Sequence, residues 1–156
     1  MSLWTLVALL LHGAMPGGAA AMAAPPSQGQ ADSMRVEIVA PATVRKGRPV
    51  RLALKVSNTT DRPITLYLQG RPVAFDLVVR QRAGGVVWQR LEGATVSAIL
   101  GVRTLDPGAT LELTDTWNQR TNAGKPAEPG DYVVTGSVLT DREPLEAIGV
   151  PLTITR

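Results

Sequence analysis

Val50-Arg51-Leu52-Ala53-Leu54-Lys55-Val56 is the part of this sequence with the clearest structural signal. Its larger hydrophobic side chains stand at every second position and alternate with arginine, alanine and lysine. Successive side chains of a β-strand point to opposite faces, so this spacing predicts a strand with one buried face. Residues 58–63, Asn-Thr-Thr-Asp-Arg-Pro, are typical of a turn and end the strand.

The same alternation recurs towards the C-terminus, separated by turns rich in glycine and proline. Runs with this pattern cover residues 64–68, 75–79, 111–117, 132–138 and 148–154, and residues 86–89 follow a glycine turn as the partner strand of a hairpin. Ala83-Gly84-Gly85 and Asp106-Pro107-Gly108 are turn signals, whereas Ala94 to Leu100 fits a short helical turn as well as it fits a strand. No long stretch has the spacing of an amphipathic helix, so the sequence predicts an all-β antiparallel sandwich of about eight strands.

The N-terminus has the features of an export signal. Leu3 to Leu11 is continuously apolar but much shorter than the roughly 20 residues that cross a bilayer, and Ala21-Met22-Ala23 resembles a cleavage site. We therefore expect a signal peptide at residues 1–23, a disordered linker at 24–33 and one domain at 34–156. On this interpretation the protein is exported, periplasmic or extracellular, and its mature chain has no membrane span.

Composition limits the possible function classes. Hydrophobic residues make up 44% of the chain, which is enough for a buried core, and the absence of cysteine excludes disulfides and thiolate zinc sites. The formal net charge is +3, and the densest basic cluster is Arg45, Lys46, Arg48 and Arg51. No aromatic-interleaved basic surface accompanies this cluster, so we expect a solvated turn and no nucleic-acid partner.

Catalytic residue types are scarce. The only histidine, His12, lies in the predicted signal peptide, so the domain has neither an imidazole nor a thiol for nucleophilic catalysis. Asp76, Asp115 and Asp131 remain as candidate acids, but their spacing forms no recognised motif. We expect a protein that is not an enzyme and has no catalytic residue, metal ligand or cofactor. For Asp76 we expect a structural role, as a cap of a neighbouring turn or a partner of an arginine.

The aromatic side chains of the domain are interpreted as core residues. Trp88, Trp117, Phe75 and Tyr132 all lie on or next to predicted strands. Tryptophan is also enriched in binding hot spots, but the large apolar area of an aromatic ring favours the core.

A set of spaced motifs from about Val50 to Val138 resembles the intracellular proteinase inhibitor family named BsuPI. In chain order the motifs are Asn58, Gly70, Phe75-Asp76, Gly85-Val86-Val87-Trp88, Leu105-Asp106-Pro107-Gly108, Trp117, Gly124-Lys125-Pro126, Pro129-Gly130-Asp131-Tyr132 and Gly136. The resemblance implies an immunoglobulin-like sandwich that inhibits a subtilisin-type serine protease.

Inhibition of this kind needs an exposed loop rather than catalytic groups, because a rigid loop loses little entropy when it enters a protease cleft. Two proline-containing loops are candidate partner-binding segments: Gly70, Arg71 and Pro72 in the first, and Gly124, Lys125 and Pro126 in the second. A second interpretation stays open, that of an exported protein-binding or assembly module without inhibitory activity, because sandwich folds serve many functions.

Overall fold

The computed structural model describes residues 33–156. The predicted signal peptide and nearly all of the predicted linker lie outside this range. The described part of the chain forms ten strands: β1 Met34–Val39, β2 Thr43–Arg45, β3 Val50–Asn58, β4 Ile64–Gln69, β5 Phe75–Gln81, β6 Val86–Gln89, β7 Leu100–Leu105, β8 Thr110–Trp117, β9 Gly130–Val138 and β10 Leu145–Thr155. The all-β prediction is confirmed.

Residues 33–156 form ten strands rather than about eight. β2 is only three residues long, too short to show an alternating pattern. β7 buries a single side chain, Leu105, and its alternating Leu100 and Val102 are exposed. The ambiguous segment is neither a helical turn nor a strand, because regular structure begins only at Leu100.

The strands form two sheets and a separate ribbon. The first sheet has the order β1-β3-β8, the second has the order β2-β10-β9-β5-β6, and β4 and β7 form a two-stranded ribbon. All pairs are antiparallel except β2 with β10, where Thr43 lies opposite Thr153. Strands β3 and β8 in one sheet, and β5, β9 and β10 in the other, correspond to the arrangement of an immunoglobulin-like sandwich. The predicted fold is therefore confirmed.

Side chains from both sheets fill the space between them. Val50, Leu52, Leu54 and Val56 of β3 have no exposed surface. The second sheet contributes fully or almost fully buried residues that include Leu77, Val79, Val134, Val138, Leu152 and Ile154. Each such side chain contributes on the order of 1.5–3 kcal/mol by leaving water, so the period-two pattern of the sequence accounts for the core.

An aromatic cluster closes one end of this core. The Trp117 ring stacks on Trp88 at 6.3 Å between centroids and meets Tyr132 edge-on at 6.0 Å. The Tyr132 hydroxyl donates a hydrogen bond of 2.5 Å to the Glu128 carbonyl, four residues upstream and just before β9. This is the tyrosine corner of immunoglobulin-like folds. The core positions predicted for Trp117, Phe75 and Tyr132 are confirmed, and Trp88 is half-buried.

Arg90, immediately after β6, joins the two sheets. Its Nε donates to Asp115 Oδ2 on β8 at 2.6 Å, and its Nη1 donates to the Phe75 carbonyl at 2.8 Å. The guanidinium carbon lies 3.9 Å from the centroid of the Phe75 ring, in a cation–π arrangement. One side chain thus fixes the spacing of β5 and β8.

Candidate functional site

The first candidate loop, residues 70–72, connects β4 to β5. Gly70 is buried and donates its amide to the Ile99 carbonyl at 2.8 Å, and the Ala74 amide donates to the Gln69 carbonyl at 2.7 Å. Gln69 Nε2 donates to the Thr140 carbonyl at 2.7 Å. The loop is therefore firmly held, and it exposes only two consecutive residues, Arg71 and Pro72.

Gly70→Ala is expected to lower the free energy of unfolding by about 2 kcal/mol. Gly70 has a φ of +84°, and an added Cβ would lie 2.8 Å from the Pro72 carbonyl oxygen, so backbone strain and crowding act together. Gly124→Ala is the matched control, because Gly124 has a φ of +79° with nothing within 4 Å of an added Cβ. The control should cost about 1 kcal/mol in urea denaturation. Equal losses for the two variants would contradict the crowding at Gly70.

The second candidate loop lies between β8 and β9 and contains a small hairpin. The Thr121 amide donates to the Lys125 carbonyl at 2.8 Å, and the Lys125 amide donates to Thr121 Oγ1 at 3.1 Å. Arg120 Nη1 donates to the Gly124 carbonyl at 2.8 Å. The five consecutive residues 122–126 are exposed, so the second loop presents a longer ordered segment than the first.

Asn122 fastens the tip of this hairpin to strand β6. Its side-chain oxygen accepts from the Gln89 amide at 2.7 Å, and its side-chain nitrogen donates to the Gln89 carbonyl at 2.8 Å. The Asn122 amide donates to the Val87 carbonyl at 3.2 Å. These bonds occupy the outer edge of β6, which would otherwise present unpaired backbone groups. The hairpin is thus part of the sandwich rather than a free loop.

Gln119 anchors the base of the second loop. Its side chain is buried, and its Oε1 accepts from the Gly47 amide at 2.9 Å. Its Nε2 donates to the carbonyls of Arg45 and Arg48 at 2.8 and 2.7 Å. The backbone carbonyl of Gln119 accepts from the Ala127 amide at 2.7 Å. One glutamine therefore connects the loop to the turn between β2 and β3.

The two candidate loops do not form one surface. The first lies at the C-terminal end of β9, where the Gln69 amide donates to the Leu139 carbonyl, and the second leads into the N-terminal end of β9 at Gly130. A strand of nine residues is about 30 Å long. Each loop is therefore a separate candidate contact.

The three candidate acids are engaged in separate structural contacts. Asp76 accepts from the Leu91 amide at 3.0 Å and from Gln89 Nε2 at 2.5 Å, so the expected turn-capping role is confirmed. Asp115 pairs with Arg90, and Asp131 accepts from Thr153 Oγ1 at 2.8 Å. Within residues 33–156, no group of three or more His, Asp or Glu side chains is arranged to hold a metal ion.

The basic cluster lies where the sequence predicts, at the turn between β2 and β3. Arg45, Lys46, Arg48 and Arg51 are all exposed. Lys46 forms an ion pair of 2.7 Å with Glu128, and Arg51 lies 4.0 Å from Glu112. Acidic side chains thus neighbour part of the cluster, in agreement with a solvated turn.

The described residues define a class of protein: an immunoglobulin-like sandwich with two exposed loops held by backbone hydrogen bonds. None of residues 33–156 forms a helix long and apolar enough to cross a membrane. The family model described as "Intracellular proteinase inhibitor", BsuPI, matches residues 38–143. The match covers more than half of the chain, and the chain belongs to this family.

The family description corrects one prediction. It names an intracellular inhibitor, so the expectation of a periplasmic or extracellular protein is wrong. That expectation depended on the apolar run of residues 3–11 and on the cleavage-like Ala21-Met22-Ala23, which lie outside the described residues. A short apolar run followed by small residues is compatible with an export signal but is not specific for one.

A search of curated protein sequences finds no match. Solved structures with a similar fold include the alkylpurine DNA glycosylase AlkC of Pseudomonas fluorescens, with 16% identity and a TM-score of 0.45 over 80% of this chain and 31% of that one. The CARDB domain of PF1109 from Pyrococcus furiosus has 16% identity and a TM-score of 0.42, over 78% of this chain and 87% of that domain. The β-glucosidase EmGH1 of Erythrobacter marinus has 17% identity and a TM-score of 0.44, over 79% of this chain and 15% of the enzyme. At these scores the likenesses carry no argument about function.

Proposed function

We propose that this protein inhibits a subtilisin-type serine protease, and that the hairpin of residues 121–126 enters the protease cleft. Membership of a proteinase inhibitor family supports the general function. The observation that carries the choice of segment is the exposure of residues 122–126 on a hairpin bonded at its base, its centre and its tip.

A loop of this kind binds through shape and backbone pairing. A protease cleft accepts several residues of an extended chain, and affinity rises when the loop has lost its conformational freedom before binding. The bond from Arg120 to the Gly124 carbonyl and the bonds from Asn122 to β6 restrict this hairpin in the free protein. The first loop is equally ordered but exposes too short a segment to fill a cleft.

Exchanging Gly124-Lys125-Pro126 for Gly-Ser-Gly is expected to raise the inhibition constant against a subtilisin-type protease by at least about tenfold. The sandwich should stay folded, because the buried anchor Gln119 and the aromatic cluster are unchanged. The measurement is the steady-state inhibition of peptide hydrolysis, with a thermal melt of each variant.

The matched control exchanges Arg71-Pro72 for Gly-Ser, which removes a second exposed basic–proline pair from the other loop. We expect the control to change the inhibition constant by less than about threefold. Loss of inhibition in the control alone would assign the contact to the first loop. A folded parent protein that inhibits no subtilisin-type protease would instead favour a protein-binding module without inhibitory activity.

A further inference from the structure

The ribbon of β4 and β7 has an uncharged, partly apolar outer face. Leu66 and Leu68 of β4 point into the core, so the opposite face of the ribbon carries the intervening residues. Tyr67 lies directly opposite Val102 on this face, and Leu100 lies opposite Gln69. Tyr67 is 48% exposed and Val102 is 62% exposed, and neither has a covering element among the described residues.

The backbone of β7 also has a free edge. The Gly70 amide donates to the Ile99 carbonyl, so even-numbered residues of β4 bond to odd-numbered residues of β7. On the other edge of β4, the Tyr67 carbonyl accepts from the Asp141 amide, which is consistent with this alternation. The N–H and C=O groups of Leu100, Val102 and Thr104 therefore point away from β4.

Other sheet edges of the described chain are protected in recognisable ways. Asn122 occupies the edge of β6, β2 is only three residues long, and β8 carries the exposed Glu112 at its edge. Edge strands without charges, prolines or covers pair readily with another strand. On β7 the three positions whose backbone groups point away from β4, Leu100, Val102 and Thr104, are all uncharged, and Arg103 is the one charged residue of the strand.

We propose that two copies of this chain pair antiparallel through β7, about a two-fold axis at Val102. In this register Val102 lies opposite Val102 of the second copy, and Leu100 lies opposite Thr104. Each of these pairs exchanges two backbone hydrogen bonds. The N–H and C=O groups of Leu100, Val102 and Thr104 are therefore hydrogen-bonded in both copies. The two ribbons join into one four-stranded sheet, with Tyr67 and Val102 of both copies on a shared face.

The charge pattern of β7 favours a second copy as the occupant. Arg103 is the only charged residue of the strand, and the proposed register sets it opposite Gly101 rather than opposite its own counterpart. Like charges directly opposite each other destabilise a strand pair, and a glycine leaves room for the arginine stem. Leu100 and Thr104, whose backbone groups also point away from β4, lie two residues on either side of Val102. A two-fold interface requires this symmetry. This proposal does not depend on protease inhibition.

The first test is the molar mass of the full chain in solution. Light scattering after size exclusion should detect a concentration-dependent dimer at about 100 μM, as expected for a small strand-pairing interface. Val102→Lys sets two lysines opposite each other and should raise the dimer dissociation constant at least about tenfold. Ile148→Lys is the matched control, because Ile148 is 89% exposed on β10, away from the ribbon. A parent chain that stays monomeric, or equal effects of the two variants, would overturn the proposal.

The second test uses the absence of cysteine from the chain. Val102→Cys introduces one thiol on the two-fold axis, where opposed Cα atoms in a hydrogen-bonded pair lie about 5.5 Å apart. A disulfide accepts Cα separations of roughly 4.4–6.8 Å. Under mild oxidation the folded Val102→Cys protein should form a covalent dimer at least about tenfold faster than the Ile148→Cys control, because the axis holds its thiols together. Equal rates would show that β7 does not pair with itself.

Discussion

Trp117→Ala is expected to lower the free energy of unfolding by about 3–5 kcal/mol, the largest effect of any single substitution proposed for this protein. The Trp117 side chain is 1% exposed, and its ring contacts both Trp88 and Tyr132. Alanine leaves a cavity that the surrounding strands can only partly fill. Urea denaturation followed by circular dichroism measures the loss.

Trp117→Phe is the control that separates packing from hydrogen bonding. Phenylalanine keeps a ring in the cluster but removes the indole N–H, which donates to the Arg120 carbonyl at 2.8 Å. We expect Trp117→Phe to cost about half as much as Trp117→Ala. A loss below about 1 kcal/mol for Trp117→Ala would contradict the role of this ring as the centre of the aromatic cluster.

Gln119→Met is expected to lower the free energy of unfolding by about 2–4 kcal/mol. Methionine has a similar shape but cannot bond to the Gly47 amide or to the carbonyls of Arg45 and Arg48. The Gly47 amide and the Arg48 carbonyl then lose this partner, whereas the Arg45 carbonyl still accepts from the Arg48 amide at 3.2 Å. An unsatisfied buried group costs about 1–3 kcal/mol, and water offsets part of this cost at an exposed turn. Thermal denaturation should show a lower melting temperature.

Gln81→Met makes the same chemical change at an exposed position and is the control. It should change stability by less than about 0.5 kcal/mol. Amide exchange adds a specific readout, because loss of the Gln119 anchor should raise the exchange rate at Gly47 before the core is affected. An unchanged rate at Gly47 in Gln119→Met would contradict the anchoring role.

The core could be predicted from the sequence because it depends on a local and repeating signal. In residues 50–56 the alternation of side chains directly reports which face is buried, and the structure buries Val50, Leu52, Leu54 and Val56 as predicted. Strands β1, β2 and β7 were not among the predicted runs. The side chains of β2 and β7 are mostly exposed, so they carry little signal, whereas β1 does alternate and was missed. Hydrophobic positions can be read directly from the sequence, whereas the pairing of strands depends on contacts between distant segments.

The anchors of the candidate loops were beyond sequence analysis for a different reason. Gln119 and Asn122 are polar residues in a polar loop, and nothing local distinguishes a buried glutamine from a solvated one. Their roles arise from contacts with Gly47 and Gln89, which the fold brings close. The turn residues of the sequence identify Arg71-Pro72 and Gly124-Lys125-Pro126 as exposed segments. They do not indicate how many residues each loop exposes.

The parallel pairing of β2 with β10 has a consequence for biosynthesis. Thr43 and Thr153 are opposite each other although they lie 110 positions apart in the chain, so the second sheet cannot be completed until β10 has left the ribosome. Folds dominated by such distant contacts form slowly, in milliseconds to seconds. The β2 edge therefore stays open in the newly made chain until β10 has been synthesised and can pair with it.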